Sequence, residues 1–360
     1  MAYTTVQLPT VENDYNSNRD VFSPSRVAFF IAIHLGVFAV FWQTTWRAIA
    51  VAALLHVICG GFGICVGYHR LLTHRSFKCP KFLEYAMAIA GSLSLQGGPI
   101  EWVALHRKHH QHSDHDGDPH NANDGFWWSH MLWVLHIPTQ EMWGSIRARY
   151  TPDLQKQRFY RGLEKVHLLG SIVLAVVLYF IGGWPWVVWG VCVRLVSTYH
   201  ITWFVNSASH MWGYKNFESD DLATNCWWVA LLSYGEGWHN NHHAFPTSAR
   251  HGMKPWEIDF SYYFIRAMKT VGLAWDLYVP SPEKMKEKLV QKADLIAGRF
   301  SETAGKFSET AEELKEKFSE TADELKEKFS ETAGELKEKF SETADELAEK
   351  LSPPTAEEPA

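Results

Sequence analysis

FLEYAMAIAGSLSLQGGPI, residues 82–100, is the stretch on which the fold turns. It is apolar enough to pass for a membrane crossing, yet His69 and His74 precede it and His106, His109 and His110 follow it. A crossing would leave these two groups on opposite sides of a bilayer, where they could not share a metal ion. Gly91, Gly97, Gly98 and Pro99 interrupt the stretch. Such a pattern suits a segment that dips in and returns, tolerated where protein covers its backbone. The expectation is a re-entrant or packed segment with the histidines of both flanks on one side.

Working outward, Val27–Trp42 and Ala48–Tyr68 are apolar runs, and the second holds no charge for 21 residues, long enough to cross a bilayer. Leu168–Val193 is uncharged for 26 residues, broken by Gly182-Gly183-Trp184-Pro185, and apolar character resumes after Arg194 as far as Phe204. These runs predict two more spans, near 166–182 and 185–205. The expected fold is an all-α integral membrane protein: four transmembrane helices in two hairpins, with a cytosolic helical cap. Arg70, Arg75, Lys78, Lys81, Arg107, Lys108, Arg147 and Arg149 fall on the histidine side, whereas the opposite loops offer only Arg47. That bias places the histidine side in the cytoplasm or its equivalent.

Residues 1–26 are polar and carry acids, so they fit neither a secretory signal nor a transit peptide and read as a flexible leader. The membrane domain is expected over 27–280, a linker helix over 281–299 and a disordered end over 352–360. Between these last two, residues 300–351 repeat Phe-Ser-Glu-Thr-Ala every 11 residues, with Phe at 307, 318, 329 and 340. Such a period sets Phe, Ala and Leu in a narrow stripe along a helix. The tail resembles the 11-residue repeats of late-embryogenesis-abundant proteins. Residues 300–360 carry 18 acidic and 8 basic side chains, a net of −10, so with −6 overall the remainder carries +4.

A second histidine triplet, His239, His242 and His243, has the same i, i+3, i+4 spacing as His106, His109 and His110. On a helix such residues leave one face. Asn206 and His210 form a further i, i+4 pair. Nine His and one Asn exceed what one zinc ion uses, and two redox-active ions sharing the set fit better. A single His is more often an ordinary core or surface residue. That reading is applied to His34, His56, His112, His115, His120, His130, His136, His167, His200 and His251, with His112 and His115 the nearest to exceptions because Asp114, Asp116 and Asp118 surround them. Carboxylates beside ligating imidazoles orient them, a role open to those acids, to Glu236 and to Glu101. Cys59, Cys65, Cys79, Cys192 and Cys226 show no paired spacing, so neither disulfides nor a thiolate site is expected.

His69-Arg-Leu-Leu-Thr-His74, His106-Arg-Lys-His109-His110, Asn206-Ser-Ala-Ser-His210 and Gly-Glu-Gly-Trp-His239-Asn-Asn-His242-His243 resemble the histidine boxes of membrane fatty-acyl Δ9 desaturases. Gln96-Gly-Gly-Pro-Ile-Glu-Trp102 and Gly125-Phe-Trp-Trp-Ser-His130 are similar to the cyanobacterial acyl-lipid branch. The resemblance covers about residues 27–280. It implies two iron ions (Fe2+) held by His69, His74, His106, His109, His110, His210, His239, His242 and His243, with Asn206 reaching one through water. It also implies that Trp102 and Thr202 touch the substrate, and each precedes an expected ligand by four residues, one helical turn.

The implied reaction uses O2 to place a cis double bond at carbon 9 of a saturated C16 or C18 chain. The substrate is an acyl group in a glycerolipid, with acyl-CoA as the alternative. Electrons come from an external donor, ferredoxin ahead of cytochrome b5, since neither a Gly-x-Gly-x-x-Gly fingerprint nor a His-Pro-Gly-Gly element is present. The implied location is a cyanobacterial thylakoid or plasma membrane, and no nucleic-acid partner is expected. A membrane di-iron hydroxylase or ketolase, and a membrane-anchored scaffold acting through its repeat, are the rival readings. Gly60, Gly61 and Gly63 are candidates for the closed end of an acyl tunnel.

Overall fold

The computed structural model describes residues 21–289 and, beyond them, residue 305, residues 308–321 and scattered positions from 323 to 337. The chain divides into two compact units, Met1–Val290 and Gln291–Ala360. In the first, Val21–Phe22 (β1) pairs antiparallel with His136–Ile137 (β2). Ser23 accepts the Arg26 N–H and Pro24 fills the first helical position, so α1 runs Pro24–Val37. Residues 21–26 are therefore structured, in contrast to the flexible leader expected through residue 26, because a cap and a proline start the helix there. Residues 1–20 lie outside the described residues.

Thr45 caps α2 (Trp46–His56), which continues with wider i→i+5 winding through Val57–Thr73. Gly63 and Gly67 let this segment press against α3 (Lys81–Ser92). A Cβ at Gly63 would lie 2.3 Å from the Gly91 nitrogen, and one at Gly67 would lie 2.9 Å from the Met87 Cβ. Small residues four apart allow such backbone approach between apolar helices. At 12 residues, α3 is about 18 Å long, short of an apolar bilayer core of about 30 Å. A turn with Leu95 at φ 50° and Gly97 at φ 103° leads into α4 (Pro99–His112). Its two flanks meet, since the His74 and His106 rings are 5.3 Å apart.

The chain continues through α5 (Phe126–His130), α6 (Gln140–Tyr150), α7 (Pro152–Gln155) and α8 (Arg158–Val187). A turn of i→i+5 winding, Val188–Val193, joins α8 to α9 (Arg194–Asn206), and α10 (Ala208–Met211) follows. Short helices α11 (Trp227–Leu232) and α12 (His239–Ala244) precede α13 (Phe260–Thr270) and α14 (Pro282–Glu287). Among the described residues, three helices are long and apolar enough to cross a membrane: Pro24–Phe41, Trp46–Thr73 and Arg158–Met211. The expected third and fourth spans are one 54-residue helical run, interrupted where Gly183 takes φ 66° and ψ −161° two residues before Pro185.

The C-terminal half of the Trp46–Thr73 helix is the hub of the core. Ile64, Tyr68 and Leu72 pack on Ile100 and Val103 of α4 and on Tyr160 of α8, while Val66 and Leu71 pack on Met87, Ile265 and Met268. Arg107 of α4 locks the end of that helix by donating to Leu72 O at 2.7 Å and Thr73 O at 3.2 Å, with Asp153 balancing its charge at 2.8 Å. In the second unit, residues 308–321 are helical and exposed. Of the linker helix expected over 281–299, Pro282–Glu287 is helical, and residues 290–299 and 352–360 lie outside the described residues.

Candidate metal centre

The nine box imidazoles meet in two adjoining groups. In one, His69, His74, His106, His110 and His242 bring one nitrogen each within 4.8 Å of all the others, and in the second His109, His210, His239 and His243 do the same. Each triplet divides between the groups. His106 and His110 of α4 serve the first and His109 the second, whereas in α12 His239 and His243 serve the second and His242 the first. The single ligand face expected of each triplet is therefore two adjacent faces, because α4 and α12 confront each other and every middle histidine reaches across. His110 sits at the junction: its Nε2 is 2.9 Å from His242 Nε2, and its ring lies 4.6 Å from that of His243.

Carboxylates fix these rings through Nδ1. His109 donates to Asp118 at 2.9 Å, His210 to Asp114 at 2.8 Å and His243 to Asp221 at 2.6 Å, while His69 Nδ1 lies 2.6 Å from Glu236 Oε2. With Nδ1–H of His109, His210 and His243 committed, their Nε2 atoms present lone pairs to the centre, the arrangement found around metal ions. Glu236 is itself held by Arg70, fully buried, which donates to it at 3.0 Å and to Asp259 at 3.0 Å. A buried guanidinium needs such partners, since an unpaired one costs several kcal/mol.

Whether these residues fit metal can be judged from their nitrogens alone. His69, His242, His110 and His106 contact in series, Nε2 to Nε2, at 3.0, 2.9 and 3.2 Å. One imidazole nitrogen carries a single proton or a single lone pair, so the two middle histidines cannot satisfy both neighbours by hydrogen bonding. Nε2 of His74, His210 and His239 is buried with no partner. Burial, reinforced by neighbouring imidazoles, pushes His74, His106, His110, His239, His242 and His243 well below the ordinary histidine value. They are held neutral, the form that binds metal. His109 goes the other way: burial lowers it, but Asp118, Asp114 and Asp221 outweigh that and raise it. The donor set fits two cations of nitrogen-ligand preference.

Asn206 closes α9, and Ser207, at φ −104° and ψ −67°, breaks the helix before α10 carries His210. The pair is thus not on one continuous helical face as its spacing implied. Asn206 instead lines a cavity of about 60 Å³ that runs from His69, His106 and His239 to His56 and Gly60. Trp102 and Thr202 line it too. Trp102 stacks on His106 with centroids 4.9 Å apart, and Gln96 joins the two, donating to Thr202 Oγ1 at 2.9 Å and accepting from Trp102 Nε1 at 3.2 Å. Of the glycines proposed for a closed end, Gly60 lines the cavity, while Gly61 faces the Tyr234 ring and Gly63 faces α3.

Several residues here escaped the sequence reading. His251, set aside as ordinary, is fully buried, lies 3.1 Å from Glu236 and 4.4 Å from the His242 ring. His120 lies 4.2 Å from the His109 ring, and burial with the neighbouring His109 pushes it down to about 3. Asp221 stands in Glu218-Ser-Asp-Asp, a loop that no spacing singles out. His112 and His115 join neither group, Asp116 is exposed, and Glu101 pairs with Arg26 at 3.1 Å.

A family model described as fatty acid desaturase matches residues 26–262. The chain is 48% identical over 265 residues to the sn-1 stearoyl-lipid 9-desaturase of Synechocystis sp., covering 73% of this chain and 82% of that protein. It is 49% identical over 259 residues to the sn-2 palmitoyl-lipid 9-desaturase of Nostoc sp., covering 72% and 91%. An acyl-CoA C20 Delta5-desaturase of Anemone leveillei is 43% identical over 268 residues, covering 74% and 84%.

Proposed function

The chain belongs to the fatty acid desaturase family, and on that premise we propose that it places a cis double bond at carbon 9 of a saturated C16 or C18 acyl chain esterified in a glycerolipid. It is an oxidoreductase that desaturates fatty acyl chains. The observation that carries the finer reading is the junction of the two histidine groups with one end of an apolar cavity. Two iron ions, bound by His69, His74, His106, His110 and His242 on one side and His109, His210, His239 and His243 on the other, would supply the oxidant that O2 and two external electrons provide. No side-chain acid or base can abstract hydrogen from an unactivated methylene, so such chemistry falls to a cofactor.

The residues of the chain position and enclose. Trp102 and Thr202, tied through Gln96, form the wall where the acyl chain passes the histidines, with Asn206 beside them. Asp114, Asp118 and Asp221 hold the rings of His210, His109 and His243 in place and keep their Nδ1 protonated, with Glu236 beside His69 Nδ1. The break at Gly183 supports reading Arg158–Met211 as two spans, which gives four spans in two hairpins and a cap that carries the histidines on the cytoplasmic or stromal face. On that face the basic residues of the +4 core would attract an acidic electron carrier such as ferredoxin.

The test is expression in a yeast lacking its own desaturase, with fatty acids analysed in the lipid and CoA pools separately. The expected result is carbon-9 monoenes appearing first in glycerolipid. Products gaining an oxygen in place of losing two hydrogens, or monoenes confined to acyl-CoA, would overturn the respective part.

A further inference from the structure

Arg194 begins α9, inside the longest apolar helical run, and is 1% exposed. Among the described residues it has no carboxylate partner. Its Nε donates to Gly190 O at 2.7 Å, its Nη1 donates to Leu93 O at 3.0 Å, and its Nη2 has no partner. An ionised side chain within an apolar span is costly and marks a functional role by default. No such role follows from metal binding, because Arg194 belongs to neither histidine group.

What Arg194 touches is the end of α3. Leu93 is the C-terminal cap of that helix, where unpaired carbonyls concentrate a partial negative charge that a cation stabilises. Ser171 of α8 also reaches Leu93 O, at 3.4 Å, and Tyr199 of α9 donates to Leu95 O at 3.2 Å. Three side chains from the α8–α9 run therefore hold one turn. Leu95 within it sits at φ 50°, a conformation a leucine keeps only when its surroundings enforce it. The next residue is Gln96, whose amide bridges Thr202 and Trp102 at the cavity wall.

We propose that Arg194 is a positioning residue for regioselectivity: by capping α3 through Leu93 it fixes the Gln96 amide, and through it the Trp102–Thr202 wall that registers the acyl chain against the histidines. The inference rests on reading that wall as the acyl contact. Misplacement by about 1 Å is enough to disturb a reaction geometry, and here it would offer a neighbouring methylene in place of the proper one.

The experiment compares intact Arg194→Gln, Arg194→Lys, Tyr199→Phe and Thr202→Val proteins in desaturase-deficient yeast. Double-bond position is read by mass spectrometry of derivatised monoenes, and iron content and membrane insertion are measured in parallel. Arg194→Gln is expected to raise the fraction of monoenes unsaturated away from carbon 9 by about tenfold at unchanged iron content, with Arg194→Lys restoring most of the selectivity. Should Arg194→Gln fail to accumulate, Tyr199→Phe, which loosens the same turn with little loss of volume, decides in its place by the same shift in smaller measure. Scattered positions in Thr202→Val with a single position in Arg194→Gln, or in Tyr199→Phe where it stands in, overturn the inference and leave the wall intact. A single position in Thr202→Val overturns the wall itself.

Discussion

Replacing Asp118 by Asn should release one metal ion and spare the other. Asp118 is buried and accepts from His109 Nδ1 through both oxygens, at 2.9 and 3.0 Å, and from the backbone N–H groups of Asp114 at 2.9 Å and His120 at 3.1 Å. Burial would raise its pKa, but His109 and His120 outweigh burial and hold the carboxyl well below the usual range. An amide of the same shape offers one acceptor oxygen where three N–H groups converge, so one donor must face another, at about 1–3 kcal/mol. Loss of such an orienting carboxylate typically weakens metal binding 10–100-fold, about 1.4–2.8 kcal/mol. His109 belongs to the four-histidine group, and the Asp118 hydrogen bonds reach no ligand of the five-histidine group, whose orienting acid is Glu236. Anaerobic chelator titration with iron counted per chain should therefore show one ion leaving Asp118→Asn at about 10–100-fold weaker chelation than from the parent protein, and the second leaving as before. Glu236→Gln should show the complementary loss. Both ions leaving Asp118→Asn together, or both retained to the parental end point, would refute the division into two groups.

Other substitutions test the packing. Gly63→Ala should prevent accumulation of folded protein in membranes, since its Cβ would lie 2.3 Å from the Gly91 backbone. Gly60→Ala should fold, because its Cβ would sit 3.7 Å from His56 and Thr198, and should shift products from C18 toward C16 in the fatty-acid profile by filling the cavity end. Arg107→Ala leaves the carbonyls of Leu72, Thr73 and Tyr150 without their donor, a loss of about 1–3 kcal/mol that thermal unfolding in detergent would register. Deletion of residues 300–360 should leave desaturation in yeast unchanged, and its loss would assign the repeat a catalytic part.

Much of the site was readable because helix spacing is local: three residues at i, i+3 and i+4 share a side of a helix wherever it lies. The exchange of His109 and His242 between groups was not, because it depends on α4 facing α12, a relation between segments some 130 residues apart. Asp221 and His251 were hidden for the same reason. Each acts across a loop, and nothing in its neighbours along the chain announces it. The 82–100 stretch was read from its glycines and from the histidines around it, and the structure adds what holds it: Gly63 and Gly67 against α3, and Arg194 at its end. Arg194 stood in plain view as the lone charge between Leu168 and Phe204, but its meaning needed the partner at Leu93. The helix start at Ser23-Pro24, inside the stretch read as a leader through residue 26, is a short local signal that polar composition outweighed in the reading.

Nine imidazoles on the Trp46–Thr73 helix, α4, α10, α12 and the loop at His74 form two groups that could each hold a cation. Counting iron in anaerobically purified protein of known turnover is the direct test. The account requires two iron ions per chain, with turnover rising in proportion to occupancy as the chelated protein is reloaded. Full turnover from protein holding less than one iron per chain would contradict it.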